Sequence, residues 1–82
     1  MNNIFRLTIL SAEKIVFNED IHRGIFPGVS GPLGILKNHM PLISALTSGE
    51  IDVQYPDETS KKIPINGGIL NVANDAVTVF LE

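Results

Sequence analysis

PGVSGPLGILKNHMPLISAL, residues 27–46, sets Gly28, Gly31 and Gly34 and Pro27, Pro32 and Pro41 around two apolar patches and one histidine, His39. Glycine admits positive φ without steric cost, whereas proline fixes φ and removes a backbone donor. Their alternation predicts a tight, rigid loop between short strands, and apolar side chains carried on such a loop make a docking surface. Within it, Pro41 to Leu46 could form at most a short helical turn, because proline suits a first helical position.

On either side of this run the apolar residues recur with a period close to two. Phe5, Leu7 and Ile9 alternate with Arg6 and Thr8, and Ile51, Val53 and Tyr55 alternate with Asp52 and Gln54, the pattern of half-buried strands. Shorter runs at Lys14 to Phe17, Ile21 to Phe26 and Leu33 to Leu36 extend the series. Pro56-Asp57-Glu58 reads as a turn, since proline presets the first turn dihedral and the aspartate carboxylate can accept from its downstream backbone. It joins the strand at 50–55 to one at Lys61 to Asn66. A second hairpin pairs Ile69 to Ala73 with Ala76 to Leu81 through Asn74-Asp75. Turns every roughly 8 to 12 residues, with no sustained helical period, predict an all-β fold. The expectation is one domain over residues 1–82, a small β-sandwich or flattened barrel of short antiparallel strands. No internal repeat, low-complexity tract or linker interrupts it.

A chain of 82 residues buries roughly 60% of its unfolded surface, enough for one modest core but ill suited to a deep, water-excluding catalytic cleft. The absence of cysteine excludes disulfides, thiolate metal sites and cysteine nucleophiles. With a net charge of −3 and no cationic cluster larger than Lys61-Lys62, the chain lacks what nucleic-acid phosphates require. Charged residues make up 18%, against about 25% in ordinary soluble domains, and mean hydropathy is +0.22. Either the core is rich or partners cover part of the surface. The longest apolar run, around Met40 to Leu46, is broken by Pro41 and Ser44 and falls short of the roughly 18 to 20 residues of a spanning helix. MNNIFRLTIL reads as a strand and not as a leader, so the chain is expected to stay where it is made.

No catalytic or cofactor motif emerges. Gly28, Gly31 and Gly34 are spaced G-x-x-G-x-x-G, unlike the dinucleotide fingerprint, and no predicted helix follows to hold a pyrophosphate. A P-loop is absent, and none of Ser11, Ser30, Ser44, Ser48 and Ser60 sits in a nucleophile elbow. The carboxylates fall mostly at strand ends or solvent-facing positions, where a solvated charge is the default. His22 and His39, with Glu19 and Asp20 near the former, leave open an alternative function as a stand-alone small β-barrel binding a metal or small ligand. The spacing matches no ligand pattern, and a histidine bonded to loop backbone or lying in a contact surface is the reading preferred over a metal site.

Gly34-Ile35-Leu36-Lys37-Asn38-His39-Met40-Pro41-Leu42-Ile43-Ser44-Ala45-Leu46, closing at Gly49, resembles the G-I-L-x-x-H-x-P-L-x-x-x-L-x-x-G signature of the ε subunit of F-type ATP synthases. Leu7 to Glu13 looks like that family's first strand and its exit. Gly67-Gly68-Ile69-Leu70-Asn71-Val72 with Val77-Thr78-Val79 looks like its paired closing strands. The resemblance implies the N-terminal β-sandwich of a non-catalytic rotor subunit without a cofactor. Such a subunit would be bound to γ at the foot of the central stalk and rest on the polar loops of the c-ring. It would couple ion translocation to ATP synthesis at the cytoplasmic face of the inner (plasma) membrane.

Carried over by position, the resemblance implies that Ser11, His39 and Ser44 face γ and that Ser30, Gly31, Pro32 and Leu33 form the loop directed at the c-ring. Many relatives have Glu where Pro32 stands, so an ionic contact there would be replaced by an apolar or shifted one. Lys37-Asn38 replaces the commoner Pro-Gly, a mild departure because asparagine tolerates turn conformations. Most bacterial relatives continue into two inhibitory helices, whereas this sequence stops at Glu82. The expectation is therefore a coupling subunit lacking that arm.

Overall fold

β5 (Leu42–Gln54) and β6 (Ser60–Ala73) form the longest hairpin of the molecule, paired antiparallel from Leu42↔Val72 to Gln54↔Ser60. The turn between them is the one read from Pro56-Asp57-Glu58. Glu58 N–H donates to the Tyr55 carbonyl at 2.9 Å and Tyr55 N–H to the Thr59 carbonyl at 2.8 Å. The Asp57 carboxylate accepts from the Thr59 N–H at 3.0 Å and from its hydroxyl at 2.6 Å. Those bonds hold the Asp57 carboxyl below its ordinary range, the hydroxyl contributing most.

The computed structural model describes residues 3–74 and 76–82; Asp75, half of the predicted second turn, lies outside the described residues. Five more strands flank the hairpin: β1 (Phe5–Leu10), β2 (Ile15–Ile21), β3 (Arg23–Gly28), β4 (Gly31–Ile35) and β7 (Ala76–Leu81). They form one hydrogen-bonded sheet in the order β2-β1-β7-β6-β5-β3-β4. The β5–β6 hairpin divides this sheet. Its half at 42–46 and 68–73 continues through β7, β1 and β2, and its other half at 49–54 and 60–66 carries β3 and β4. The expected all-β sandwich is therefore present, built by folding one sheet over itself. The strands are not uniformly short, with 13 residues in β5 and 14 in β6. Nor are they all antiparallel, because β1 and β7 pair parallel.

Gly67 and Gly68 stand at the bend with φ of 114° and 157°, conformations that L side chains rarely adopt. A Cβ on Gly68 would meet the Phe80 carbonyl oxygen at 2.4 Å. On the other layer, Pro27 has no N–H to give to β5. The β3–β5 register accordingly breaks between Ile25↔Asp52 and Gly28↔Leu46.

The enclosed side chains make a single cluster. Phe5, Leu7, Ile9, Leu70, Val77 and Val79 come from one layer, and Phe26, Ile35, Ile51, Val53, Ile63 and Ile65 from the other. Two polar contacts tie β2 to the turn end of the long hairpin. Lys61 Nζ lies 5.6 Å from the centre of the Phe17 ring, and the Tyr55 hydroxyl lies near enough to the Glu19 carboxylate for that charge to act on it.

Two expectations for residues 27–46 need correction. The run is not one bent loop: Pro27 and Pro32 sit opposite each other in the β3–β4 ladder, and only Val29-Ser30 and residues 36–41 lie outside strands. Residues 42–46 are not a helical turn but the start of β5. Leu42, Ser44 and Leu46 pair with Val72, Leu70 and Gly68, and this long-range ladder overrides the local signal of Pro41.

Gly68→Ala is expected to lower stability by about 2–4 kcal/mol, through positive φ and the clash at Phe80, as read from urea denaturation midpoints. A second expectation concerns pH. Burial, followed by the nearby Glu19 carboxylate, pushes the Tyr55 hydroxyl from its ordinary 10 up to about 12. The folded state holds this proton more tightly than the unfolded one. The contribution is intact below pH 10 and is lost as pH rises from 10 to about 12. Thermal melts across that window should fall more steeply for the native chain than for Tyr55→Phe.

Candidate functional site

The outward face of the β2-β1-β7-β6-β5 layer holds the most distinctive surface of the molecule. Register fixes its composition, because directly paired residues point to the same side. Ala45 pairs with Ile69, Ile69 with Phe80, Phe80 with Leu10, and Leu10 with Ile15 across a β-bulge. The result is an apolar row perpendicular to the strands and about 19 Å long over four strand spacings. Leu10 is half-buried, whereas Ile15 at 58%, Ile69 at 48% and Phe80 at 46% are exposed, as is Ile43 beside the row at 73%.

The neighbouring row is polar. Asn71, Thr78, Thr8 and Asn18 follow Ile43 across the sheet, and beyond them Arg6 pairs with Asp20. Arg6 Nε stands 2.9 Å from Asp20 Oδ1, and Arg6 Nη1 and Thr8 Oγ1 both donate to Asn18 Oδ1, at 3.0 Å and 3.4 Å. The face is thus split into a polar half, in which Arg6, Thr8, Asn18 and Asp20 are linked to one another, and an apolar half. At the β2 end the apolar row opens into a cavity of about 400 Å³ between Leu10, Ala12, Ile15, Phe80 and Leu81, with Ser11 and Lys14 also lining it.

Ser11 closes the β1–β2 turn at this cavity, its N–H donating to the Lys14 carbonyl at 2.9 Å and its hydroxyl accepting from the Lys14 N–H at 3.3 Å. His39 lies in the segment before β5, in a separate cavity with Asn38, Pro41 and Asn74. Its Nδ1 is 2.7 Å from the Met40 carbonyl; a carbonyl can only accept, so this nitrogen carries the proton. The preceding Asn38 has φ of 67°. Ser44 is half-buried on the core side of β5, opposite Leu70, and its hydroxyl donates to the Ala45 carbonyl at 3.3 Å. Ser11, His39 and Ser44 therefore border three different parts of the layer and do not converge on one cavity.

Ser30, Gly31, Pro32 and Leu33 occupy the β3–β4 turn and the start of β4. Val29 beside them is 63% exposed, Gly31 has φ of 129°, and Leu33 packs on the core. The Val29 N–H donates to the Ala45 carbonyl at 3.2 Å, so this tip adjoins the β5 end of the apolar row.

The two histidines open onto different cavities, His22 onto one with Asn3, Leu36 and Lys37. Among the described residues no group of three or more His, Cys, Asp or Glu side chains is placed to hold a metal. His22 instead sets its Nδ1 3.3 Å from the Asn3 carbonyl.

Leu10, Ile15, Ile43, Ile69 and Phe80 are functional candidates that periodicity passed over. Their trace in the sequence is a failure of strict alternation at Ile9-Leu10, Ile15-Val16-Phe17, Leu42-Ile43, Ile69-Leu70 and Val79-Phe80-Leu81. A strand with apolar residues on both sides has a second surface to cover.

The structure is a β-sandwich with one largely apolar, pocketed outward face. The sequence model of the family described as "ATP synthase, Delta/Epsilon chain, beta-sandwich domain" matches residues 4–82, and the chain belongs to that family. It is 35% identical over 78 residues to the ATP synthase epsilon chain of Syntrophomonas wolfei, covering 95% of this chain and 57% of that one. With the epsilon chain of Desulforamulus reducens it shares 39% over 77 residues, covering 94% and 58%. The chain thus spans less than two thirds of the length of these relatives. Its fold is also that of a chain in the cryo-EM structure of Euglena gracilis mitochondrial ATP synthase, OSCP/F1/c-ring, with TM-score 0.91 at 19% identity over 99% of this chain and 52% of that chain. A chain in the Tetrahymena thermophila central stalk and c-ring structure gives TM-score 0.77 at 16% identity, over 93% and 61%.

Adjacent residues of β6 offer a direct check of the split between core and face. Leu70→Ala should cost about 2–5 kcal/mol, whereas Ile69→Ser should stay within about 0.5 kcal/mol and reduce binding of a hydrophobic dye. Equal destabilisation in denaturant titrations would contradict the assignment of the outward face.

Proposed function

We infer that this domain is a non-catalytic element of the central stalk of a rotary F-type ATP synthase. It binds the γ subunit, rests on the c-ring and couples ion translocation to ATP synthesis. The observation that carries this reading is the exposed apolar row from Ala45 to Ile15, on a domain of the epsilon-chain family. So large an apolar surface on a small domain is the signature of a covered face. The row and its flanks at Ser11, His39 and Ser44 meet γ, and the tip at Ser30, Gly31, Pro32 and Leu33 meets the c-ring. The domain is peripheral to the membrane and lies on its cytoplasmic face.

A part that transmits torque must be stiff, and a single cluster of close-packed side chains between two layers resists shear. The stalk contacts belong to the sandwich itself, so the helical arm of the bacterial relatives is not needed for them. Mixed with the γ subunit of the same organism, the 82-residue chain should form a complex at micromolar concentration or below. Ile69→Asp, and His39→Ala combined with Ser44→Trp, should weaken it in titration calorimetry. Absence of a complex at micromolar concentrations removes the proposal.

A further inference from the structure

The geometry points to an aromatic side chain of the γ subunit as the occupant of the cavity at the β1–β2 turn, an inference that rests on the stalk reading above. Three members of the apolar row, Leu10, Ile15 and Phe80, form walls of this cavity, so a partner lying along the row reaches it without a break. The walls are held by backbone. The turn is closed by the Ser11–Lys14 hydrogen bonds, and the bulge between Ile9 and Leu10 brings Ile15 opposite Leu10. Preformed pockets of this kind are where interface anchors concentrate their binding energy.

The lining selects the anchor. An aliphatic side chain would gain burial alone, whereas an aromatic ring also meets the edge or face of Phe80, which is 46% exposed. Lys14, the charged member of the lining, makes no ion pair with any carboxylate among the described residues, and its ammonium is free to sit over a ring. With a volume of about 400 Å³, the cavity is large enough to take a bulky side chain.

Ala12 is exposed, so Ala12→Trp fills the cavity with the chain's own ring and leaves the core untouched. Binding to γ by calorimetry should weaken about tenfold or more for Ala12→Trp and about threefold for Lys14→Gln, with unchanged thermal melts. A benzophenone amino acid at position 12 should capture a γ peptide containing an aromatic residue. If the native chain binds γ and Ile69→Asp weakens it, but both cavity variants bind like the native chain, the cavity assignment falls and the stalk reading stands. If the native chain does not bind γ, both fall. Capture of a second copy of this chain, or of a γ peptide without an aromatic residue, overturns the assignment.

Discussion

The bend in the β5–β6 hairpin is the constraint on which the rest of the structure depends. Along an unbroken β6, strict alternation would put Leu70 and Val72 on the opposite side of the sheet from Ile63 and Ile65, and the corner at Gly67-Gly68 is where the buried positions change parity so that both sets point inward. Gly67 and Gly68 let β6 turn while its ladder with β5 continues on both sides of the corner, from Leu46↔Gly68 to Ser48↔Asn66. The backbone at Gly68 approaches Phe80 so closely that no side chain fits between them. The bend is therefore tied to the position of β7, and β7 in turn carries the parallel pairing with β1.

The same register that closes the core composes the face. Every residue pointing inward along β1, β6 and β7 has a neighbour pointing outward, and near the cavity end those neighbours are Leu10, Ile69 and Phe80 in place of the usual polar residues. The Arg6–Asp20 pair shows how the other half of the face is kept content with water: each charge is exposed and its partner is within the molecule. Such a surface pair adds little stability. Its effect is on the face, where it confines the apolar area to a band. That confinement gives direction to a contact that hydrophobic burial alone would leave undirected.

Much of this was legible in the residues themselves. Phe5, Leu7 and Ile9 announced a half-buried strand, and Pro56-Asp57-Glu58 announced the turn that Asp57 in fact caps through Thr59. Asn38 showed its fitness for a left-handed position, which it occupies. What escaped local reading required distant partners. Gly67-Gly68 looks like punctuation between two strands, and only the continuous pairing with β5 makes Lys61 to Ala73 part of one bent strand. Pro41 looks like a helix start until Leu42 finds Val72. The apolar row takes one or two residues from each of five strands, so no window of sequence contains it. Its only trace is the doubling of apolar residues at places such as Ile69-Leu70.

Pro27 and Pro32 face each other across β3 and β4. Neither has an N–H, so theirs is a rung without hydrogen bonds between the strands, and by alternation the backbone groups of residues 32 and 34 point away from β3. Along that free edge, position 32 offers no donor at all. A stray strand docking there would find its ladder interrupted at the first rungs. The opposite edge, β2, carries Asn18, Glu19 and Asp20, side chains that discourage the same event. The domain thus leaves an apolar face open while both edges of its sheet resist extension, so that a contact through the face is favoured over one through an edge.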